Sequence, residues 1–245
     1  MFVASGTKRL GCFSTLAAAA SLGKRRNFST LFTVTKLANT LANYMLFKYM
    51  LVMALLCCTT LAVNAAPLPA AQDTGMSIVA SARQQVGKTL YYDPSYTRIA
   101  YPMGDVPMET GVCTDVIIRA LRDALGMDLQ QLVHKDMTAA FSEYPKNWGL
   151  KKPDSNIDHR RVLNLQKYFS RKGFSLKITE EPKNYLPGDI VSCTLPGNLP
   201  HIMIVSDKKV DGIPLIIHNI GGGAKEEEGL FFCDITGHYR IKPLP

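Results

Sequence analysis

Three side chains of the sequence have the types and the order needed for a cysteine hydrolase. Cys113 follows a turn glycine, Gly111, and precedes an apolar pattern of helical period, so we expect the thiol in the first turn of a helix. His201 and His218 follow on two segments with the composition of β-strands. A nucleophilic thiol needs a base that takes its proton and a third group that orients the base. The sequence therefore predicts Cys113 as nucleophile, His201 as base and His218 as orienting residue.

The predicted position of Cys113 favours negative charge on its sulfur. Backbone N–H groups at the start of a helix lack partners, and the helix dipole favours an anion there. A thiol in that field is expected to titrate below the roughly 8.5 of free cysteine. The N–H of Cys113 is also placed to donate to an oxyanion that develops during attack on an amide.

The two histidines can meet if their strands are neighbours in one sheet. Opposite side chains of adjacent antiparallel strands lie roughly 5 Å apart, which is close enough for His218 to orient His201. Alternation along a strand places His218 and Asn219 on opposite faces. Asn219 therefore stays an alternative orienting residue, because an amide can do the same work and only one of the two can share the face of His201.

Other titratable residues are interpreted mainly as structural. His134 and His159 lie in predicted helices and are expected at the surface, whereas His238 could serve either purpose. Residues 226–228, three glutamates after a run of glycines, are expected to form a solvated turn. Asp115 could cap the early helix or hold a substrate amine, and capping ranks first.

Helical patterns come first along the chain and strand patterns follow. Helices are predicted at residues 77–86, at 113–125, at 128–141 and in a segment that begins at Asn156 or Asp158. Strands are predicted at residues 174–179, 188–195, 201–205, 213–220, 230–235 and 238–242. Helices followed by strands indicate an α+β fold with an antiparallel sheet. We expect one domain over residues 75–245, preceded by a flexible lead-in at 67–74.

The first 66 residues are predicted to be a targeting leader. Residues 50–63 are an apolar stretch of the length of a signal-peptide core, and small residues follow it near Ala65 and Ala66. This pattern predicts a signal peptide at about 45–66, with residues 1–44 arising from a mis-assigned start, and export to the periplasm or the medium without a stable membrane span after cleavage. The alternative is an organellar presequence formed by residues 1–44.

The basic charge of the chain belongs to this leader. The formal net charge is +8, and seven of the 28 basic residues precede the first acidic residue, Asp73. The remaining 21 basic residues stand against 20 acidic ones, so the net charge after the leader is +1. The charge therefore gives no support to a nucleic-acid-binding domain.

The cysteine count after the leader is odd. Cys113, Cys193 and Cys233 are the three cysteines of residues 67–245. Cys193 and Cys233 could pair in an oxidising compartment, or both could be buried apolar side chains, which the sequence favours slightly. Either interpretation leaves Cys113 as a free thiol.

Several ordered motifs resemble a known family. They lie at residues 92–96, 101–107, 111–116, 186–191, 200–202 and 217–221. Over about residues 75–243 the chain resembles the YijF-like family, bacterial exported proteins with a domain of unknown function (number 1287). That family in turn resembles the NlpC-type papain-like cysteine peptidases.

The resemblance implies a papain-like fold, in which N-terminal helices, including the nucleophile helix, pack on a C-terminal antiparallel sheet. It also implies Cys113, His201 and His218 as the catalytic triad, and amide bonds of cell-wall peptides as the substrate class. NlpC enzymes usually carry Asp before the cysteine and Ser after it, where this chain has Val112 and Thr114. Their upstream tyrosine, which helps the oxyanion site, has Tyr92 as its nearest counterpart here.

The resulting functional prediction is an exported cysteine hydrolase that cleaves peptidoglycan stem peptides and needs no metal or cofactor. One alternative is a cell-wall-binding module of the same fold without turnover. A second alternative is a zinc site formed by Cys113, His201 and His218, whose ligand types suit zinc.

Overall fold

The computed structural model describes residues 41–50 and 70–242. These residues belong to two units of the chain, which divide between Ala66 and Pro67. In the first unit, residues 41–50 form helix α1, whose side chains are exposed. Within the described residues, no helix combines the length and the apolar character needed to cross a bilayer. The rest of the predicted leader lies outside the described residues.

The second unit begins with a longer helix than the sequence predicts. Helix α2 spans Ala70–Arg83, so residues 70–74 of the predicted flexible lead-in are helical, and residues 67–69 lie outside the described part. Alanine has the highest helix propensity, and two alanines open α2. Ile78, Val79 and Ala82 are buried on one side of this helix.

Three further helices complete the helical part. Helix α3 spans Cys113–Leu125 and ends at Gly126, whose left-handed conformation (φ 66°) glycine adopts without strain. Helix α4 spans Leu129–Ala139, and the Asp128 side chain caps it. Helix α5 spans Val162–Arg171 and begins later than predicted, because residues 158–160 form a separate 3₁₀ turn.

Two short strands precede α3, and five strands form the main sheet. Strands β1 (Tyr91–Tyr92) and β2 (Thr110–Gly111) pair in parallel. The main sheet contains β3 (Ile190–Leu195), β4 (Leu199–Val210), β5 (Ile213–Asn219), β6 (Ala224–Glu227) and β7 (Asp234–Tyr239). Its strand order is β6-β5-β4-β3-β7, and every pair is antiparallel. The predicted α+β class with an antiparallel sheet is therefore confirmed.

The core lies between the helices and one face of the sheet. Helix α3 contributes Val116, Ile117, Ala120 and Leu121, all fully buried. They belong to one apolar cluster with Ile202 and Ile204 of β4 and Ile217 of β5. Because the helix with Cys113 at its start packs on these strands, the thiol lies next to the strands that carry the histidines.

The strand predictions are wrong at three places. Residues 174–179 form only an isolated bridge, between Ser175 and Tyr239. The two strands predicted at 230–235 and 238–242 are one strand, β7, which starts at Asp234 and ends at Tyr239. Residues 226–228 are predicted to form a solvated turn, but Glu226 and Glu227 belong to strand β6. The Ala-Lys-Glu-Glu sequence of β6 has low β propensity. Pairing with β5 overrides that propensity, since each β6 residue faces a partner in the register from Ile216 to Asn219.

Candidate active site

Cys113 is the first residue of α3 and is buried. A carboxylate oxygen of Asp115 accepts a hydrogen bond from the N–H of Val112 at 2.7 Å, which caps the helix from its third position. A Cβ at position 111 would lie 3.2 Å from the same carboxylate, which explains a glycine before the nucleophile turn. The predicted helix start and the capping role of Asp115 are thus confirmed.

A buried ion pair between Arg160 and Asp115 also holds the start of α3 in place. Arg160 donates from Nε and Nη2 to the two carboxylate oxygens of Asp115, both at 2.9 Å, and both side chains are only 3 % exposed. The Thr114 hydroxyl donates to the carbonyl of Arg160 at 3.0 Å. With both of its oxygens bonded, Asp115 acts in positioning the helix. Arg160 is not predictable from the sequence, because it lies in an ordinary charged run.

Arg119 holds the loop that leads into the nucleophile turn. Its guanidinium is buried and donates to the Asp105 carboxylate at 3.0 Å. It also donates to the backbone carbonyls of Val106 and Thr110, each at 3.1 Å. One side chain of α3 therefore anchors both the loop and β2, which ends two residues before Cys113.

The two predicted histidines are in direct contact. Nε2 of His201 on β4 and Nδ1 of His218 on β5 lie 2.8 Å apart, and both side chains are buried. Asn219 points elsewhere, since its amide donates to the carbonyl of Gly111 at 3.0 Å and its Oδ1 accepts from Gly221. Of the two orienting residues that the sequence left open, the structure brings His218 to His201.

A glutamate that the sequence analysis placed in a solvated turn extends this pair. The Glu227 carboxylate on β6 lies 2.9 Å from Nε2 of His218, and its side chain is 41 % exposed. Glu227 is thus the outer member of a chain of hydrogen bonds from His201 through His218. The glycine-rich turn after a histidine-bearing strand was a usable signal, because such turns join hairpin strands.

The thiol is neutral in this arrangement, contrary to the expectation from its helix position. Burial raises the pKa of Cys113 to about 12, and the nearby Asp115 charge acts in the same direction. The amides of Ile202, Thr114 and Cys113 itself oppose this shift and lower the pKa, but burial is the larger effect. The Ile202 amide belongs to the residue after His201, which places the thiol beside the histidine backbone.

Burial also keeps both histidines neutral. It lowers the pKa of His201 to about 3, and the neighbouring His218 adds to the shift. Burial lowers the pKa of His218 as well, although Glu227 opposes that shift. A neutral imidazole has one nitrogen that can accept a proton, so His201 is in the form that a general base requires.

A cleft of about 400 Å³ reaches Cys113 from the surface. Its lining includes Tyr92, Trp148, Arg160 and Arg161, so aromatic and cationic side chains line the cleft that contains the thiol. Burial is the main cause that raises the pKa of Tyr92, and the Asp115 charge acts in the same direction, so the Tyr92 hydroxyl keeps a proton that it can donate. The structure therefore brings Tyr92 and Cys113 to one cleft.

The other histidines lie apart from this cleft. His159 is buried, which corrects its predicted surface position, and burial lowers its pKa to about 4. His134 packs edge-on against Tyr101. His238 on β7 is buried, and its Nε2 lies 2.7 Å from a carboxylate oxygen of Asp189.

The zinc alternative is not supported by the geometry. Nε2 of His201 and Nδ1 of His218 face each other at hydrogen-bonding distance, which leaves no room for an ion between them. Among residues 41–50 and 70–242, no three His, Cys, Asp or Glu side chains are grouped as metal ligands.

Cys193 and Cys233 form a disulfide, which corrects the slightly favoured interpretation of two buried thiols. Cys193 lies opposite His201 in the β3–β4 pairing. Phe232, next to Cys233, packs edge-on against both His201 and His218, with ring centroids 6.1 and 5.9 Å away. The bridge therefore ties the Phe232 loop to the strand beside the histidine pair, and Cys113 is the free cysteine of the described residues.

These features describe an α+β protein with a buried cysteine at a helix start and a histidine pair on the adjoining sheet. The chain matches a domain of unknown function, DUF1287, over residues 79–241, and it belongs to that family. It is 55 % identical over 169 residues to the uncharacterized protein YijF of Escherichia coli (strain K12), covering 69 % of this chain and 82 % of that protein. The predicted YijF-like family is confirmed.

One solved structure is similar in part. It is an N-acetylmuramoyl-L-alanine amidase from Bacteroides uniformis ATCC 8492, 13 % identical, with a TM-score of 0.45. The similarity covers 69 % of this chain and 99 % of that one.

Proposed function

We propose that the protein is an exported cysteine hydrolase of papain-like, NlpC-type fold that cleaves amide bonds in peptidoglycan stem peptides. The observation that carries the proposal is the His201–His218 hydrogen bond of 2.8 Å, on strands that pack against the helix that Cys113 begins. A nucleophile, a base and an orienting residue are what such a hydrolase requires.

The proposed reaction begins from neutral partners. His201 takes the thiol proton as the Cys113 sulfur bonds to the amide carbonyl carbon, and the Cys113 N–H and the Tyr92 hydroxyl donate to the oxyanion. The C–N bond then breaks, and His201 gives its proton to the leaving amine. Water attacks the thioester, loses a proton to His201, and releases the carboxylic acid as the sulfur leaves and recovers its proton.

The raised pKa of Cys113 makes substrate-linked proton transfer a requirement of this proposal. A thiolate is not formed in advance at neutral pH, because burial favours the neutral thiol. The proton must therefore move during attack, when the oxyanion donors take up the developing charge. The same observation favours the alternative function, a module that binds cell-wall fragments in this cleft without turnover.

The proposal is tested by incubating the full chain with soluble peptidoglycan fragments and analysing the products by mass. We expect two products whose masses together equal the substrate plus one water, and we expect their loss in a Cys113→Ser variant. Saturable binding of the same fragments by both proteins without products would instead establish the binding module. Equal product formation by both proteins would exclude Cys113 as the nucleophile.

Export is part of the proposal, and the Cys193–Cys233 disulfide supports it. Disulfides persist in oxidising compartments and are rare in the bacterial cytosol. Fractionation of a bacterial host that expresses the full chain should recover the oxidised protein outside the cytosol. Recovery in the cytosol alone, with both cysteines reduced, would contradict it.

A further inference from the structure

We propose that Glu227 is a positioning residue that acts through His218 and determines which nitrogen of His201 is free to accept the Cys113 proton. This inference rests on the proposed hydrolase function for its catalytic meaning, but its structural content does not. It concerns the order of protons along one chain of hydrogen bonds, from the Glu227 carboxylate through His218 to His201.

The Glu227 carboxylate determines which nitrogen of His218 carries a hydrogen. An ionised carboxylate can only accept hydrogen bonds, so Nε2 of His218, 2.9 Å from Glu227, must carry a hydrogen. In neutral His218 the other nitrogen, Nδ1, is then an acceptor. The identity of the donor within the first pair is therefore fixed by the chemistry of Glu227.

The tautomer of His218 in turn determines which nitrogen of His201 carries a hydrogen. Since Nδ1 of His218 accepts, Nε2 of His201, 2.8 Å away, must be the donor. Neutral His201 then keeps its lone pair on Nδ1. In the part of the chain that the structure describes, the hydrogen bond to His218 is the only one made by the His201 side chain. Nδ1 is therefore left to take the thiol proton.

Without an anion at position 227, both proton orders are possible. In the reversed order, Nδ1 of His218 donates to Nε2 of His201, and Nδ1 of His201 carries a hydrogen. A nitrogen that already carries a hydrogen cannot accept the thiol proton. The reversed order is therefore inactive, and the carboxylate removes it from the population.

The position of Glu227 on the strand is specific. His218 lies directly opposite Lys225 in the β5–β6 pairing, and Glu227 is the diagonal neighbour on the same face. Glu226 faces the other side, where its carboxylate binds Arg83, Ser206 and Lys208. Glu228 is exposed and carries the same charge, so it provides a matched control.

The tautomers can be observed directly in the wild-type protein, without any substrate. We expect ¹⁵N-edited NMR of the full chain at neutral pH to show hydrogen on Nε2 of both His201 and His218, with assignments from His201→Gln and His218→Gln variants. Glu227→Gln should introduce the Nδ1-protonated form, because a carboxamide can either accept or donate. Glu228→Gln should leave the spectrum unchanged. A hydrogen on Nδ1 of neutral His201 or His218 in the wild type would overturn the inference.

Kinetics of peptidoglycan-fragment hydrolysis give a second readout. Loss of a carboxylate that fixes a catalytic tautomer can cost about 10⁴-fold in kcat, and outer partners of ligands typically cost about 10- to 100-fold. Because Glu227 acts through a second histidine and is partly exposed, we expect a decrease in kcat of about 10- to 100-fold for Glu227→Gln, with little change in KM. Glu228→Gln should match the wild type, and Glu227→Asp should recover part of the rate.

The pH profile separates positioning from a general structural effect. The charged groups that face the pair are Lys225 and Glu227 on β6, and Asp115, Arg160 and the titratable Tyr92 lie around the thiol. Removing the Glu227 charge should move the acidic limb of kcat/KM to lower pH, because that charge favours protonated His218.

The inference would be overturned if the Glu227→Gln and Glu228→Gln variants had equal rates and the same acidic limb in their pH profiles of kcat/KM. A uniform loss of rate in Glu227→Gln with an unmoved limb would also overturn it, because that result would indicate structural damage. If the wild type hydrolyses no peptidoglycan fragment, the proposed function is wrong. The NMR experiment still tests the proton order of His201 and His218, because it needs no substrate.

Discussion

Two histidine–carboxylate clusters lie on the same sheet and differ in whether a histidine nitrogen is left open. The site cluster consists of His201, His218 and Glu227 on β4, β5 and β6, and the Asp189 cluster consists of Asp189, His238 and Arg240 near β7. Both use buried imidazoles bonded to a carboxylate. Only the site cluster ends in a histidine nitrogen without a hydrogen-bond partner among the described residues.

The Asp189 cluster is closed. Asp189 accepts from Nε2 of His238 and from Nε and Nη2 of Arg240, each at 2.7 Å. The other nitrogen of His238 lies 3.3 Å from the carbonyl of Lys177. Both ring nitrogens of His238 therefore face oxygen atoms of the protein, and neither is left without a neighbour to accept a proton from a substrate.

The difference shows why residue types alone do not identify a catalytic histidine. A histidine with two acceptors is a structural cross-link, whereas one with a single donor bond and an open lone pair can move a proton. The ring of His238 also stacks on Tyr185, with centroids 4.3 Å apart, which fits a packed structural position.

Replacing the two histidines should separate the clusters most strongly. We expect His201→Gln to lower kcat/KM for peptidoglycan fragments by about 10²- to 10⁴-fold, the usual range for a general base. His238→Gln should leave kcat/KM per folded molecule close to the wild type. Comparable losses in both variants, at equal folded fractions by circular dichroism, would remove the functional distinction.

Replacing the carboxylates Asp189 and Glu227 should affect stability more strongly in the Asp189 cluster than in the site cluster. Asp189→Asn leaves the Arg240 guanidinium and the buried His238 ring without their anionic partner, so we expect a loss of about 3 kcal/mol in the free energy of unfolding. Glu227→Gln should cost less than about 1 kcal/mol, because that carboxylate is partly exposed. Urea unfolding of both variants measures the difference, and a larger loss for Glu227→Gln would contradict the contrast.

The disulfide lies between the clusters, since β3 pairs with both β4 and β7. Its removal in a Cys193→Ala, Cys233→Ala double variant should lower the free energy of unfolding by about 2–4 kcal/mol. Activity should fall as well, because the bridge holds Phe232 against His201 and His218. Unchanged activity at equal folded fraction would show that the Phe232 loop does not need the bridge.

Acid should destabilise the protein through the site histidines. Because burial lowers the pKa of His201 to about 3, the unfolded chain binds more protons than the folded chain as the pH falls from about 6.5. One such histidine removes at most about 1.4 kcal/mol of stability per pH unit. His201→Gln should reduce the slope of unfolding free energy between about pH 6.5 and pH 5. His159, whose pKa is also lowered, keeps its share in that variant. An unchanged slope would contradict the neutral, buried state of His201.

Much of the helical part was predictable because local signals agree there. The turn glycine, the apolar period of α3 and the stop at Gly126 all indicate one helix, and the structure contains it from Cys113 to Leu125. The strand bounds were less predictable, because pairing partners set them. Residues 224–227 have weak β propensity and become β6 only through the ladder with β5.

The site was predictable in its inner members and not in its outer ones. Cys113, His201 and His218 stand at positions where element type and order already suggest chemistry. Arg160 and Glu227 lie in ordinary charged runs, and only contact distances of 2.9 Å to Asp115 and His218 give them a role. Side-chain pairs far apart in sequence depend on packing that local patterns do not encode.

The sequence by itself determined the class of fold, the thiol at a helix start and the family, because these depend on local periodicity and on ordered motifs. The tertiary structure decided the protonation of the site. Burial outweighs the helix dipole at Cys113 and raises its pKa, while the pairing of β5 with β6 brings Glu227 to His218. Solvation and hydrogen-bond partners depend on how the chain packs, so they are determined only when α3 is packed on the sheet.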